Sequence, residues 1–307
     1  MSRDYRQIEW DAELDDDCRQ LVRLTVREDL ARLYDWTTIA LVPESARGRA
    51  IVRARRAGVV AGLPAARLIL AEYDPTLDFS PAVNDGDAVA AGVAIATIAG
   101  SARNLLTAER TVLNFLGRLS GIATLTRTYV EAVSGTPARI YDTRKTTPGW
   151  RRLEKYAVRA GGGHNHRRGL YDGILIKDNH LALGATDPSN PYSPAEAIDR
   201  CRQFLASLAT AGAAAEIIIE VEVDTLAQLD DVLPKRPDIV LLDNMSLDDL
   251  RAAVAQRDAG YAEVELEASG GVTLASVAAI AAAGVNRISV GALTHAAPWL
   301  DVGLDWT

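Results

Sequence analysis

Ile174-Leu175-Ile176-Lys177-Asp178-Asn179-His180 is a short apolar run that stops abruptly in charge. The same shape recurs along the second half of the chain. Ile140-Tyr141 precedes Asp142-Thr143-Arg144-Lys145, Ile217 to Val223 carries Glu222 near its end, and Ile239 to Leu242 precedes Asp243-Asn244. Val264 to Ala268 precedes Ser269-Gly270-Gly271, and Ile288 to Val290 precedes Gly291. Near-continuous apolar runs separated by helical patterns predict a parallel sheet covered on both faces, and six of them can curl into a barrel. Because each run ends in a polar cluster, one shared site at the C-terminal edge of the strands is expected, where barrel enzymes assemble theirs.

Upstream, apolar residues from Leu105 to Val133 recur at helical spacing with an interruption at Ser120-Gly121, which predicts one long or kinked helix linking two domains. The first hundred residues mix a charged helix around Glu13 to Leu33 with half-buried strands such as Gly48 to Ala54. The turn Asn84-Asp85-Gly86-Asp87, followed by Val89, Val93, Ile95 and Ile98, suggests a small sandwich like biotinyl-type modules, but without the hairpin-tip Lys of a carrier. The expectation is an α/β protein: an N-terminal α/β sandwich domain over 1–118, with 297–307 returning to it, and an open parallel α/β barrel over 119–296.

A length of 307 residues with 48% hydrophobic composition suits two such domains. The net charge of −8 argues against nucleic acid or a membrane surface as partner. Cys18 and Cys201 are too few and too far apart for a disulfide framework or a thiolate metal site, which fits a reducing cytosol. The start carries Asp15-Asp16-Asp17 rather than a basic, then apolar, signal, and the run from Val277 to Val285 falls short of the roughly 18 residues of a membrane span. A cytoplasmic protein is expected.

Against this acidic background the cations between Tyr141 and His180 stand out, crowded around Gly161-Gly162-Gly163. They point to an anionic small-molecule substrate. Arg144, Lys145, His166, Arg167 and Lys177 lie at strand ends or beside the glycines, whereas Arg151, Arg152 and Arg168 read as solvated surface. A guanidinium grips a carboxylate through two parallel hydrogen bonds, and each close pair is worth about 4 kcal/mol at an effective dielectric of 20, before desolvation. Ser269-Gly270-Gly271 ahead of a helical run from Leu274 to Ala283 is either a serine-capped turn or a phosphate cradle. Ser289-Val290-Gly291-Ala292 on the next strand favours the phosphate. Glu222 and Asp243 suit magnesium, held directly or through water, or ribose hydroxyls, although helix caps or ion pairs would also use them. Glu220 faces the same side of its strand as Glu222. His164-x-His166 lacks a third soft ligand for zinc, which leaves His166 as a carboxylate binder. No triphosphate loop, dinucleotide fingerprint or Ser-His-Asp arrangement is readable.

The runs Asp142 to Gly149, Gly161 to Leu170 and Ile174 to His180 resemble quinolinate phosphoribosyltransferase, and the likeness is strongest from Leu105 to Ala297. The resemblance implies decarboxylating phosphoribosyl transfer to quinolinate, giving nicotinate mononucleotide in NAD biosynthesis. It implies a homodimer in which each N-terminal domain caps the partner's barrel. Arg144, His166, Arg167 and Lys177 would bind the quinolinate carboxylates, with Lys145 bordering both substrates. Glu222 and Asp243 would serve the magnesium and ribose of phosphoribosyl pyrophosphate, and Ser269, Gly270, Gly271, Gly291 and Ala292 its 5-phosphate; Lys145, Lys177, Glu222 and Asp243 form the catalytic set. Arg110, within Glu109-Arg110-Thr111, reads alone as part of a helix-surface ion pair, and only the resemblance sends it into the neighbouring subunit's site. Two departures accompany the likeness: Tyr34 replaces a glycine of the family, which predicts a different turn, and Asp187 to Pro194 looks like a lengthened loop, a lid or a surface insertion. Two rivals share these features: a similar protein found with molybdate transport genes, and a non-catalytic anion-binding barrel.

Overall fold

The computed structural model describes residues 4–184, 191–208 and 217–307. The first half of the loop expected from Asp187 to Pro194, residues 187–190, therefore lies outside the described residues. Two compact units are present: Met1–Gln7, Tyr129–Arg144 and His164–Gly291 form one, and Ile8–Thr128, Lys145–Gly163 and Ala292–Thr307 the other.

The second of these begins with α1 (Ala12–Leu30) and α2 (Trp36–Leu41), then β1 (Arg47–Ala54), β2 (Gly58–Val59), α3 (Leu63–Tyr73), β3 (Asp78–Pro81), β4 (Ala88–Val89) and β5 (Ala94–Ser101). Helix α4 (Ala102–Ala132) follows. Helix α1 starts where Asp11 accepts a hydrogen bond from the Leu14 amide, and it buries Leu14, Cys18 and Val22, one face at four-residue spacing. Asp85, in the expected turn, caps α3 by accepting from the amides of Gly62 and Leu63 at 2.9 and 3.1 Å. Strands β12 (Val302–Trp306), β1, β5 and β3 make an antiparallel sheet in that order. Tyr34 does not take a positive φ; Ala31 does, at 51°, and Asp35 then caps α2.

Helix α4 is unbroken through Ser120-Gly121, so of the long or kinked helix expected there the long one is present. Gly121 marks a close approach instead: a Cβ there would strike the Pro298 carbonyl oxygen and come within 2.9 Å of Trp299 Cα. One turn earlier, the Gly117 carbonyl accepts from the Leu300 amide at 2.9 Å.

The other unit is built on β6 (Arg139–Tyr141), β7 (Ile174–Ile176), β8 (Ile219–Val223), β9 (Ile239–Asp243), β10 (Glu265–Ser269) and β11 (Arg287–Ser289). These run parallel in the order β6-β11-β10-β9-β8-β7, so β6 and β7 are the outer strands of an open sheet. Helix α5 (Arg151–Ala160) belongs to the first-described unit; α6 (Asp178–Gly184), α7 (Pro194–Leu208), α8 (Leu226–Val232), α9 (Leu247–Asp258) and α10 (Val277–Ala282) are the sheet's connections. Helix α11 (Ala292–His295) follows β11. A capping box at Thr225 and Gln228 fixes the start of α8, directly after β8.

One face of this sheet departs from the apolar pattern. Register places Glu220, Ile239 and Glu265 in one row and Glu222, Leu241, Glu267 and Arg287 in the next row of the same face, with Asp243 and Ser269 nearer the C-terminal edge. Glu220, Glu267 and Arg287 are fully buried. Such groups persist in an interior only when paired.

Candidate active site

The C-terminal edge of the sheet carries the expected polar groups in spatial order: Arg144 beyond β6, Gly291 beyond β11, Ser269 and Gly270 at β10, Asp243 at β9, Glu222 at β8 and Lys177 beyond β7. Register sets Lys177 beside Glu222, and the two form an ion pair through Nζ and Oε2. Burial pushes the Glu222 carboxyl above its ordinary range; Lys177 opposes the shift, and the nearby Asp243 charge adds to it. Asp243 pairs in register with Ser269 and accepts from Asn244 Nδ2 at 2.7 Å.

The sequence places Asn244 in a polar strand end without giving it a role. It takes a positive φ of 52°, its amide donates to the Ser269 carbonyl at 2.9 Å, and its side chain lies where a Gly270 Cβ would be. Gly270 and Gly271 both have positive φ, 95° and 59°, so the backbone here demands glycine. The glycines do not open a helix directly, as the sequence suggested: a turn stabilised by Thr273 and Ser276 intervenes, and α10 begins only at Val277.

His166 and Arg167 lie deeper than expected, 5% and 7% exposed. His166 Nε2 sits 3.0 Å from Glu220 and 3.4 Å from Glu267, and its Nδ1 lies 2.8 Å from the Arg167 amide nitrogen, a hydrogen bond open only to the neutral ring. Burial and the Arg167 amide on Nδ1 favour the neutral imidazole, but the two carboxylates outweigh them and push its pKa up to about 9. Glu267 is correspondingly held below its ordinary range by His166 and Arg287, against burial. His166, Glu220 and Glu267 place potential ligand atoms within 4.8 Å of one another, yet the His166 and Arg287 cations already balance both carboxylates. Among the described residues His164 is not part of this cluster. The Arg167 guanidinium donates to the Gly173 carbonyl at 3.4 Å.

The remaining expected residues belong to the other unit. Lys145 is exposed, with its carbonyl held by Thr294 Oγ1 at 2.7 Å, while Thr147 donates to the buried Glu154, which also pairs with Arg118 at 2.6 Å. Ala292 opens α11. Arg110 is exposed on α4 and, among the described residues, has no ion-pair partner, so the expected surface pair is not formed. Arg152 and Arg168 are structural rather than solvated: Arg152 meets Asp11, Glu13 and Asp17, and Arg168 pairs with Asp172.

The quinolinate phosphoribosyl transferase family models match nearly all of this chain, the N-terminal domain over residues 35–120 and the C-terminal domain over 122–305. The chain belongs to this family. It is 44% identical over 292 residues to the nicotinate-nucleotide pyrophosphorylase (carboxylating) of Mycobacterium leprae, covering 94% of this chain and 97% of the relative. The probable nicotinate-nucleotide pyrophosphorylase (carboxylating) of Synechocystis is 42% identical, over 90% and 88% of the two chains. The solved nicotinate-nucleotide pyrophosphorylase of Francisella tularensis superposes with a TM-score of 0.87 at 34% identity, covering 99% of this chain and all of that one. No helix among the described residues is long and apolar enough to cross a membrane.

Proposed function

We infer that this chain is a decarboxylating quinolinate phosphoribosyltransferase: it joins quinolinate to phosphoribosyl pyrophosphate, releasing nicotinate mononucleotide, pyrophosphate and carbon dioxide in NAD biosynthesis. Family membership across both domains supports the reaction. The observation that carries the residue roles is the sheet edge on which Lys177, Glu222, Asp243 and Gly270 follow one another on adjacent strands.

In this reading Arg144, Arg167 and Lys177 hold the two ring carboxylates, and the buried His166 imidazolium adds positive potential from below. Lys145 borders both substrates. Ser269, Gly270, Gly271, Gly291 and Ala292 receive the 5-phosphate. Glu222 and Asp243 take the ribose hydroxyls and are the residues that would hold magnesium, which supplies charge neutralisation of the diphosphate when bound; their hard oxygen donors fit it. Glu222 is paired with Lys177, so the pair must part for each to meet its own partner. The pyridine nitrogen attacks the anomeric carbon as pyrophosphate leaves, a reaction that needs positioning and charge stabilisation but no protein nucleophile. The ring nitrogen, now cationic, stabilises the carbanion left when the adjacent carboxylate departs as carbon dioxide, so ribosylation precedes decarboxylation.

The chain works as a cytoplasmic homodimer in this reading, with Arg110 contributed to the neighbouring site. The exposed apolar residues Tyr34, Trp36 and Leu41, 62%, 65% and 77% exposed, support an assembly that covers them. Release of carbon dioxide and pyrophosphate from quinolinate and phosphoribosyl pyrophosphate, with nicotinate as the inactive control, tests the reaction. Equal turnover of nicotinate, or none of either, would overturn it.

A further inference from the structure

The loop that carries Asn165, His166 and Arg167 is held from two sides. From above, Asp142 accepts from Asn165 Nδ2 at 2.7 Å and from the His166 amide at 2.9 Å. From below, the chain's own N-terminal segment grips Asn165 and His166. Gln7 makes a reciprocal pair with the Asn165 backbone, accepting its amide at 2.7 Å and donating to its carbonyl at 3.2 Å. Tyr5, 3% exposed, stacks on the His166 ring at 4.7 Å between centroids and 28° between planes, while its hydroxyl donates to Glu220 at 2.7 Å. Asp4 anchors the segment by accepting from Arg287 at 2.9 Å and Tyr141 at 2.8 Å. Arg287 also bonds Glu267, the second carboxylate on His166, at 2.9 Å.

We propose that Tyr5 and Gln7 are positioning residues for quinolinate binding: the N-terminal segment clamps the Asn165–Arg167 loop and so fixes where its cations meet the anionic ring. Among the described residues the clamp makes no hydrogen bond to Glu222, Asp243 or Gly270; its nearest approach to them is Tyr5 at Glu220, two residues before Glu222 on β8. It acts on one substrate. The clamp rests on the proposed reaction for its kinetic consequence, but its geometry is measurable without turnover.

Tyr5→Ala and Gln7→Ala are each expected to raise KM for quinolinate about tenfold, equivalent to about 1.4 kcal/mol, with KM for phosphoribosyl pyrophosphate within about twofold. Tyr5→Phe, which keeps the stack, restores most of the loss. An unchanged quinolinate KM in a folded Tyr5→Ala enzyme, or equal rises for both substrates, would overturn the proposal. Proton NMR of the four histidines gives the second readout. The His166 ring protons are expected to be shifted by the Tyr5 ring current in the parent protein and in Tyr5→Phe, and to return toward ordinary values in Tyr5→Ala; a His166 signal indifferent to Tyr5→Ala would sink the clamp. Lack of quinolinate turnover in the parent protein strikes the reaction instead, and the resonance then decides the clamp alone.

Discussion

Lys177 and Glu222 are paired with each other, yet each is assigned to a different substrate, one to the dicarboxylate and one to the sugar. A pair at a strand end with Lys177 40% exposed contributes little to stability, about 1 kcal/mol or less. Lys177→Ala should therefore lower turnover of quinolinate by about 100-fold or more while circular dichroism and the melting point barely move; near-normal activity would remove Lys177 from the site. His166 behaves differently, because its charge is buried. Its pKa rises from 6.5 to about 9 on folding, so the folded state binds the proton more tightly and the resulting stabilisation, on the order of 3 kcal/mol, is complete below pH 6.5. It is lost as pH climbs through 9. Glu267 shares the same interaction and adds no second increment there; its lowered pKa instead makes stability fall at acid pH, below its ordinary value of 4.5. Urea midpoints measured between pH 6 and pH 10 should decline across the upper half of that range, and a His166→Gln protein should show a flatter profile. An identical slope in both would mean that other groups set the alkaline limit.

At the level of elements, the six strands were readable because each is a short apolar run bounded by polar residues, and all six appear within a residue or two of their expected limits. What could not be read was which face each residue meets. Glu265 and Glu267 alternate with Leu266 and Ala268, a sign of an inward charged stripe, but a strand's alternation does not say that Arg287, His166 and the distant Asp4 and Tyr5 complete it. Arg287 lies only 20 residues from Glu267, but Asp4 and Tyr5 lie more than two hundred residues from Arg287 and Glu220, the groups they bond on this face. The same blindness explains Gly121, where a helix-weakening residue looks like an interruption until the Pro298 carbonyl is seen against it. Gly121→Ala puts a good helix former at that position, so helix propensity predicts a gain. Steric crowding predicts the reverse, a loss of about 1–3 kcal/mol as residues 298–300 are pushed off α4. The second effect is the larger. A lowered denaturation midpoint in Gly121→Ala is expected, and a raised one would show that the tail yields without strain.

For the whole molecule, the unanswered demand is Arg110. It projects from α4 without an ion-pair partner among the described residues, in a unit whose surface also exposes Trp36 and Leu41. A cation of this kind, on a chain whose site needs charge for two carboxylates, gains a role if a second copy supplies it. In a two-fold dimer each site would combine one chain's Lys177 with its partner's Arg110. Arg110→Ala and Lys177→Ala homodimers are then both inactive, each lacking one cation in both sites. A mixed dimer collects both defects in one site and leaves the other intact. Equal mixing with free exchange makes half the dimers mixed, each with one working site of two, so about a quarter of parental activity should return. If the Arg110 of each chain served its own barrel, every site in every mixture would carry a defect, and the mixture would be no more active than its components. Measuring turnover after denaturing and refolding the two variants together, against each refolded alone, separates these outcomes, and the absence of any recovery would assign Arg110 to its own subunit or to the surface.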